Sequence, residues 1–322
     1  MEQRALGRSG LKVSRLGLGT MTWGNGTDPD EAAAILVAFH DAGGTLVDTA
    51  VSYTRGDAER ILGGLIADVV PRSELVIASK AGVTRLGDER TVDASRGALL
   101  RRLDESLTNL GVDHLDLWQV HAPDPSVPSE ETLSALDAAV SSGKVRYIGV
   151  SNYSGWQTAH AATWQRAVPG RAPLVSTQVR YSLLDRGIER EVVPACAALG
   201  LGILPYSPLG GGVLTGKYRQ GVPADSRGAA EGRGVASFND PQVVGIVEAV
   251  ATAADGLATS PITVALSWLR SRPGVAAPIV GARTLGQLTT ALASLTVELP
   301  LEIQLALDDV SEPSSGYPED FH

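Results

Sequence analysis

Short apolar runs, rich in Val, Ile and Leu, alternate along the chain with longer segments whose apolar positions recur at helical spacing. RALGRSGLKVS (4–14) reads as a small hairpin. The spacing then predicts strands at 15–20 (RLGLGT), 45–48 (TLVD), 74–80 (ELVIASK), 116–121 (DLWQVH), 144–152 (KVRYIGVSN), 173–178 (PLVSTQ), 200–207 (GLGILPYS) and 275–280 (VAAPIV). Helices are predicted between them at 30–43, 57–69, 92–111, 129–143, 156–168, after 189–191, 240–256 and 260–272, with two more at 285–295 and 301–310. Gly111 suits a helix stop, and Ser260 with Pro261 suits a helix start. Residues 210–239 lack clean periodicity and read as a long loop.

The predicted strands carry little polar alternation, so both faces of the sheet are covered. An eightfold strand–helix alternation of this kind predicts an α/β fold: a (β/α)8 TIM barrel with an N-terminal β-hairpin and long rim loops, residues 1–322 forming one domain. A doubly wound sheet is the alternative. It lacks its glycine fingerprint, because GLGTMTWG (17–24) places Thr22 where the third glycine of GxGxxG belongs.

Composition narrows the partners. The 322 residues carry a net charge of −9 and only four lysines, Lys12, Lys80, Lys144 and Lys217, in no cluster. Nucleic-acid binding is not expected, since phosphate contacts need gathered positive charge. Anionic membrane surfaces are disfavoured for the same reason, although a local positive pocket for a phosphorylated small molecule remains compatible. Cys196, the single cysteine, sits in an apolar helical pattern and reads as a buried inert thiol. No segment has signal-peptide or membrane-span character, so the expectation is a soluble cytoplasmic protein.

In a barrel the C-terminal strand ends converge on one rim, where chemistry sits. The residues ending or following the predicted strands are Thr20, Asp48, Lys80, Gln119 with His121, Ser151 with Asn152, Gln178, and Tyr206 with Ser207; Tyr53 lies just beyond Asp48. A tyrosine of ordinary pKa near 10 is a poor proton donor at neutral pH. An ammonium at Lys80 would lower that pKa, Asp48 would offset the buried charge, and His121 would hydrogen-bond a carbonyl. The set suits delivery of a proton to an oxygen while another species attacks the carbon. No serine, cysteine or metal-ligand cluster offers itself as an alternative nucleophile. A lysine at a barrel strand end is also what a Schiff-base aldolase uses, and that reading stays open.

DTAVSY, the SK of 79–80, DLWQVH, YIGVSNY, LPYSPLGGGVLTGKY and the final PIVGARTLGQL together resemble the aldo-keto reductase superfamily over nearly the whole chain. The resemblance implies reduction of a small-molecule aldehyde or ketone, keto-sugars included, with NADPH, less often NADH. It implies Asp48, Tyr53, Lys80 and His121 as the catalytic four, with Tyr53 the general acid. Ser151, Asn152 and Gln178 would hold the nicotinamide carboxamide and Tyr206 would stack on the ring. Ser207, Leu209, Gly211, Leu214 and Lys217 would wrap the diphosphate, and Gly281, Arg283, Thr284 and Gln287 would take the adenosine end, Arg283 pairing with a 2′-phosphate. No metal is implied. Barrels of this type also serve as accessory subunits that sense nicotinamide redox state while binding another protein.

Four positions depart from the family pattern. Thr54 replaces the glycine after the tyrosine, Ala58 the serine before Glu59, Ala291 the late asparagine that contacts adenine, and Thr290 a common glutamate. Trp23, with Tyr53 and His121, is expected at the substrate pocket, and residues 123–128 beside it. Trp118 is expected to pack outward from the barrel. Arg219, Arg227 and Arg233 in the long loop are candidates to close over bound cofactor.

Overall fold

The computed structural model describes residues 1–86, 89–219, 221–224, 229, 240–314 and 316. Arg227 and Arg233 lie outside these. Two short strands, β1 (Gln3–Ala5) and β2 (Lys12–Ser14), form the antiparallel N-terminal hairpin. The alternation then runs β3 (Gly17–Gly19), α1 (Pro29–Asp41), β4 (Leu46–Asp48), α2 (Asp57–Asp68) and β5 (Val76–Ala81). A second antiparallel pair follows, β6 (Val83–Leu86) and β7 (Glu89–Val92), and then α3 (Arg96–Leu110). The chain continues through β8 (Leu115–Val120), α4 (Ser129–Ser141), β9 (Val145–Ser151), α5 (Gly155–Ala167), β10 (Leu174–Arg180), α6 (Val192–Leu199) and β11 (Gly202–Tyr206). It ends with α7 (Pro241–Gly256), α8 (Pro261–Arg270), β12 (Ile279–Val280), α9 (Leu285–Leu292) and α10 (Leu301–Val310).

Eight of these strands form one parallel sheet in the order β11-β10-β9-β8-β5-β4-β3-β12. Its two ends meet where Ile203 takes a bond from Ala276 N and gives one to Gly274 O, each 2.9 Å. The result is the expected (β/α)8 barrel. Leu46, Ala78, Leu117, Val175 and Leu204 fill the lower interior together with Leu6, Leu11 and Val13 of the hairpin, which therefore plugs the bottom. The plug fits closely at Gly7. Its φ is +59°, and a Cβ there would stand 2.6 Å from Gly200 O and 2.7 Å from Val175 O. Outside the sheet, Ile77, Trp118, Val120 and Ile148 pack against helix residues such as Leu36, Leu62, Leu103 and Leu136. Trp118 is thus an outward packing residue, as expected.

Helix boundaries follow their chemistry. Gly111 ends α3 in the left-handed region at φ 64°, and Ser260 caps α8 by accepting from Thr263 N. Two readings change. The helix expected from 92 begins at Arg96, capped by Ser95, because 89–92 is drawn into β7. That hairpin had a signal in VTRLGDERTV: alternating residues about a Gly-Asp pair, a two-residue hairpin signature. The start of the predicted long loop is also ordered. Gly210–Thr215 forms a short 3-10 turn whose Val213 and Leu214 are buried with Tyr218 against α7 and α8. Among the described residues no single helix is long and apolar enough to cross a membrane.

Candidate active site

Side chains two apart on a strand share a face, so the residues above the apolar lower layer point into the same lumen. Above Leu46 stands Asp48, above Ala78 stands Lys80, and above Leu117 stand Gln119 and then His121. The bottom is plugged, so this polar layer opens only at the upper rim.

Lys80 is fully buried and its ammonium is fully committed. Nζ donates to Asp48 Oδ1 at 2.6 Å, to the carbonyl of Thr49 at 2.8 Å and to Tyr53 Oη at 3.3 Å. Burial opposes its charge most strongly. The Asp48 charge and the bonds to Asp48 and Tyr53 together outweigh burial and hold the lysine above its ordinary range. A Schiff-base nucleophile must be a neutral amine, so this geometry opposes the aldolase reading.

Tyr53 opens a short 3-10 turn after β4. Its ring meets His121 edge-on, with centroids 5.9 Å apart and planes at 80°, and Lys80 Nζ lies 5.0 Å from its centroid. Lys80 lowers the phenol's pKa, as expected, but the net shift is upward. Burial is the largest influence and raises it, Lys80 lowers it, Asp48 raises it again, and burial prevails. Tyr53 is therefore a protonated phenol at neutral pH. It accepts from Lys80, so its own proton points elsewhere.

The strained backbone gathers here. Of the five described non-glycine residues with positive φ, four lie at this rim: Thr54 (45°), Arg55 (59°), Asn152 (61°) and Ser207 (51°). Such conformations persist where surrounding structure over-determines them, characteristically at functional sites. Thr54 shows how. Its Oγ1 donates to Trp23 O and accepts from Ala58 N, both at 2.9 Å, tying the β3 loop to the start of α2. Those bonds offset the strain of a branched residue where the family pattern has glycine.

Beside the four, Asn152 Nδ2 donates to His121 O at 2.9 Å and to Ser151 Oγ at 3.1 Å, and Tyr206 Oη donates to Asn152 Oδ1 at 2.8 Å. Gln178 reaches across the lumen, where its Nε2 donates to Asp48 Oδ2 at 2.8 Å. Thus Ser151, Asn152, Gln178 and Tyr206 adjoin Asp48, Tyr53, Lys80 and His121 in one constellation.

The more distant candidates form two further groups. Gly210, Gly211 and Gly212 all have positive φ, and a Cβ on Gly211 would meet nothing within 4 Å. Lys217 Nζ folds back to 3.2 Å from where a Gly212 Cβ would stand. Leu214 turns its side chain into the core, so only its backbone faces this turn. At the other group, Thr284 caps α9, and Gln287 Oε1 accepts from Arg283 N at 2.9 Å. Gly281 lies exposed beside them. Arg219 is gripped by Glu248 through two hydrogen bonds rather than lying over the rim.

One expectation changes. Trp23 is fully buried in the core and cannot form an open pocket wall; Met21, 47% exposed, is the outward side chain of that loop. Ala291 is 1% exposed and packed with Leu16, Leu266 and Val280. Cys196 is inert as expected, its thiol pushed up to about 12 by burial. Sequence reasoning missed Thr49, which acts through its carbonyl and so leaves no side-chain signal. It also missed the fully buried Glu59, which accepts from Ser79 Oγ at 2.7 Å and Asn109 Nδ2 at 3.0 Å directly behind Lys80.

Comparison with known proteins identifies the family. Residues 15–312 match the model of the Aldo/keto reductase family. The chain is 36% identical to the uncharacterized oxidoreductase YrpG of Bacillus subtilis (strain 168), over 98% of each chain. It is 34% identical to a probable voltage-gated potassium channel subunit beta of Oryza sativa subsp. japonica, over 99% of this chain and 98% of that one. It is 33% identical to the L-glyceraldehyde 3-phosphate reductase of Escherichia coli (strain K12), over 89% and 86%.

Proposed function

The chain belongs to the aldo/keto reductase family, NAD(P)H-dependent oxidoreductases acting on carbonyl compounds, and from that premise we propose that it reduces an aldehyde or ketone, keto-sugars included, to the alcohol using NADPH. The observation that carries this reading is the direction of the Lys80–Tyr53 bond, which leaves the phenol proton free for the substrate.

The residues present fit a nicotinamide nucleotide. The rim supplies a buried hydroxyl at Ser151, a buried amide at Gln178 and a half-buried amide at Asn152, and an aromatic side chain, Tyr206, fixed by its bond to Asn152. The open glycine turn 210–212 with Lys217 offers backbone and charge to a diphosphate, and Arg283 with Thr284 and Gln287 offers a cation beside a helix start. When bound, the nicotinamide supplies the hydride. His121 orients the carbonyl. Tyr53 delivers its proton to the carbonyl oxygen, and the phenolate that forms is stabilised by Lys80, whose charge is balanced by Asp48. Residues 1–322 act as one barrel domain in this reading.

The test is titration of NADPH and NADH by protein fluorescence, followed by an oxidation screen over aldehydes, ketones, quinones and keto-sugars. Micromolar or tighter binding, roughly −8 kcal/mol at 1 μM, is expected. Absence of saturable binding of either nucleotide would sink the reading. Likeness to the channel beta subunits over 99% of the chain favours a second role beside it, as a nicotinamide-binding partner of another protein. A partner that co-purifies in fixed stoichiometry and responds to added nucleotide would support that role.

A further inference from the structure

The neighbours of Gln178 and Asn152 give each amide a fixed direction. Asp48 can only accept: Oδ1 takes Lys80 and Oδ2 takes Gln178 Nε2. The NH2 end of Gln178 is therefore the end turned to Asp48, and Oε1 is turned away. Asn152 spends both Nδ2 hydrogens on His121 O and Ser151 Oγ and keeps acceptor capacity at Oδ1 beyond its bond from Tyr206. Ser151 accepts from Asn152 and so has its own hydrogen to give. Ser151 and Gln178 stand in register on β9 and β10. The set comprises two amide oxygens that accept and one hydroxyl that donates.

We propose that Asp48, besides holding Lys80, is a positioning residue for cofactor recognition: it fixes the polarity of Gln178 so that the site takes a primary carboxamide and rejects a carboxylate at the same ring position. This rests on the nicotinamide reading above. A carboxamide brings two N–H groups and one carbonyl, the complement of two acceptors and a donor. A carboxylate brings acceptors only and would set oxygen against Gln178 Oε1 and Asn152 Oδ1. Asp48→Asn makes a signed change. The Lys80 ammonium demands an oxygen, so the new amide turns its oxygen to Lys80 and its NH2 to Gln178. Gln178 must then reverse and present Nε2 to the cofactor.

The experiment measures dissociation constants of NADP+, its nicotinic acid analogue, and 2′-phospho-ADP-ribose, which lacks the ring, on the full chain at fixed ionic strength. The parent should prefer NADP+ over the acid by roughly tenfold or more. Asp48→Asn should abolish or invert that preference with 2′-phospho-ADP-ribose binding unchanged. Gln178→Met, which alters no charge and answers the question even where Asp48→Asn fails to fold, should weaken NADP+ and spare the acid. In the Gln178→Met background, Asp48→Asn should no longer change the ratio; a purely electrostatic effect of Asp48 would persist. Equal binding of amide and acid by the parent, or an Asp48 effect that survives in the Gln178→Met background, overturns the proposal. Binding of 2′-phospho-ADP-ribose without amide discrimination defeats only this inference. Failure of all three nucleotides to bind defeats the cofactor reading beneath it as well.

Discussion

Lys80 donates to Tyr53 across 3.3 Å, and the remaining Lys80 hydrogens are taken by Asp48 and the Thr49 carbonyl. The phenol oxygen is thus an acceptor toward the protein interior and a donor only toward the rim. That polarity suits an acid for reduction and, after proton loss, a base for the reverse reaction.

Tyr53→Phe should consequently slow reduction by ~10²–10⁴-fold in single-turnover measurements at saturating cofactor, with nucleotide affinity nearly intact. Burial raises the phenol above its ordinary value of 10.0. The single-turnover reduction rate should therefore hold level across about pH 6–9 and fall only beyond the ordinary tyrosine value. Alcohol oxidation needs the phenolate, so its rate should rise with pH over the same range. A full single-turnover rate in Tyr53→Phe would place the proton donor elsewhere.

The Lys80–Asp48 pair should be costly to break and less costly to remove. Lys80→Met leaves Asp48 buried without its cation, and stability should fall by ~3–5 kcal/mol in urea denaturation. Lys80→Met with Asp48→Asn removes the orphaned charge and should recover part of that loss. The lysine's folded value is raised above 10.5, so its contribution is complete below that pH and is lost as pH rises through the folded value. Additive losses in the double variant would show that the two charges are not coupled.

How much of this could be read beforehand follows from what a strand end encodes. Asp48, Lys80 and His121 were legible because chain order places them at strand termini and the barrel alone brings them together. Trp23 was misplaced because its position after a strand says nothing about which way the indole turns; here it turns into the core. The Gln178–Asp48 bond joins residues 130 apart in sequence and depends on one rotamer across a lumen. The raised pKa of Tyr53 depends on a balance between burial and one ammonium, which a sequence states only as a list of neighbours.

Glu59 offers a pH test of the layer behind Lys80. Burial raises its carboxyl above the ordinary 4.5, while bonds from Asn109 and Ser79 pull it down without prevailing. A raised folded value means that its contribution to stability is complete below 4.5 and is lost as pH rises through the folded value. Relative to Glu59→Gln, the parent should therefore gain stability as the pH is lowered and lose that advantage toward neutral pH. Paired thermal melts at several pH values would read this. A stability difference independent of pH would mean that Glu59 titrates normally in the fold.

The adenosine end tests two substitutions with opposite logic. Arg283 stands at the start of α9, its backbone N–H bonded to Gln287 and its Cδ 3.8 Å from where a Cβ on Gly26 would lie. A charge-assisted contact to a 2′-phosphate is worth about 1.5–3 kcal/mol, so Arg283→Ala should weaken NADPH by about tenfold or more and barely change NADH. Equal losses for both nucleotides would show that Arg283 supports the pocket generally, and the preference for NADPH would lose its residue-level basis. Ala291→Asn should behave differently. An asparagine there enters the apolar cluster of Leu16, Leu266 and Val280, and an unpaired amide in such a place costs about 1–3 kcal/mol. The variant should be less stable than the parent without nucleotide. If its amide reaches adenine, NADPH and NADH should each restore the deficit by a similar amount, since both carry the base. A variant as stable as the parent in the absence of nucleotide would show that position 291 opens toward solvent in solution, contrary to the packing described above.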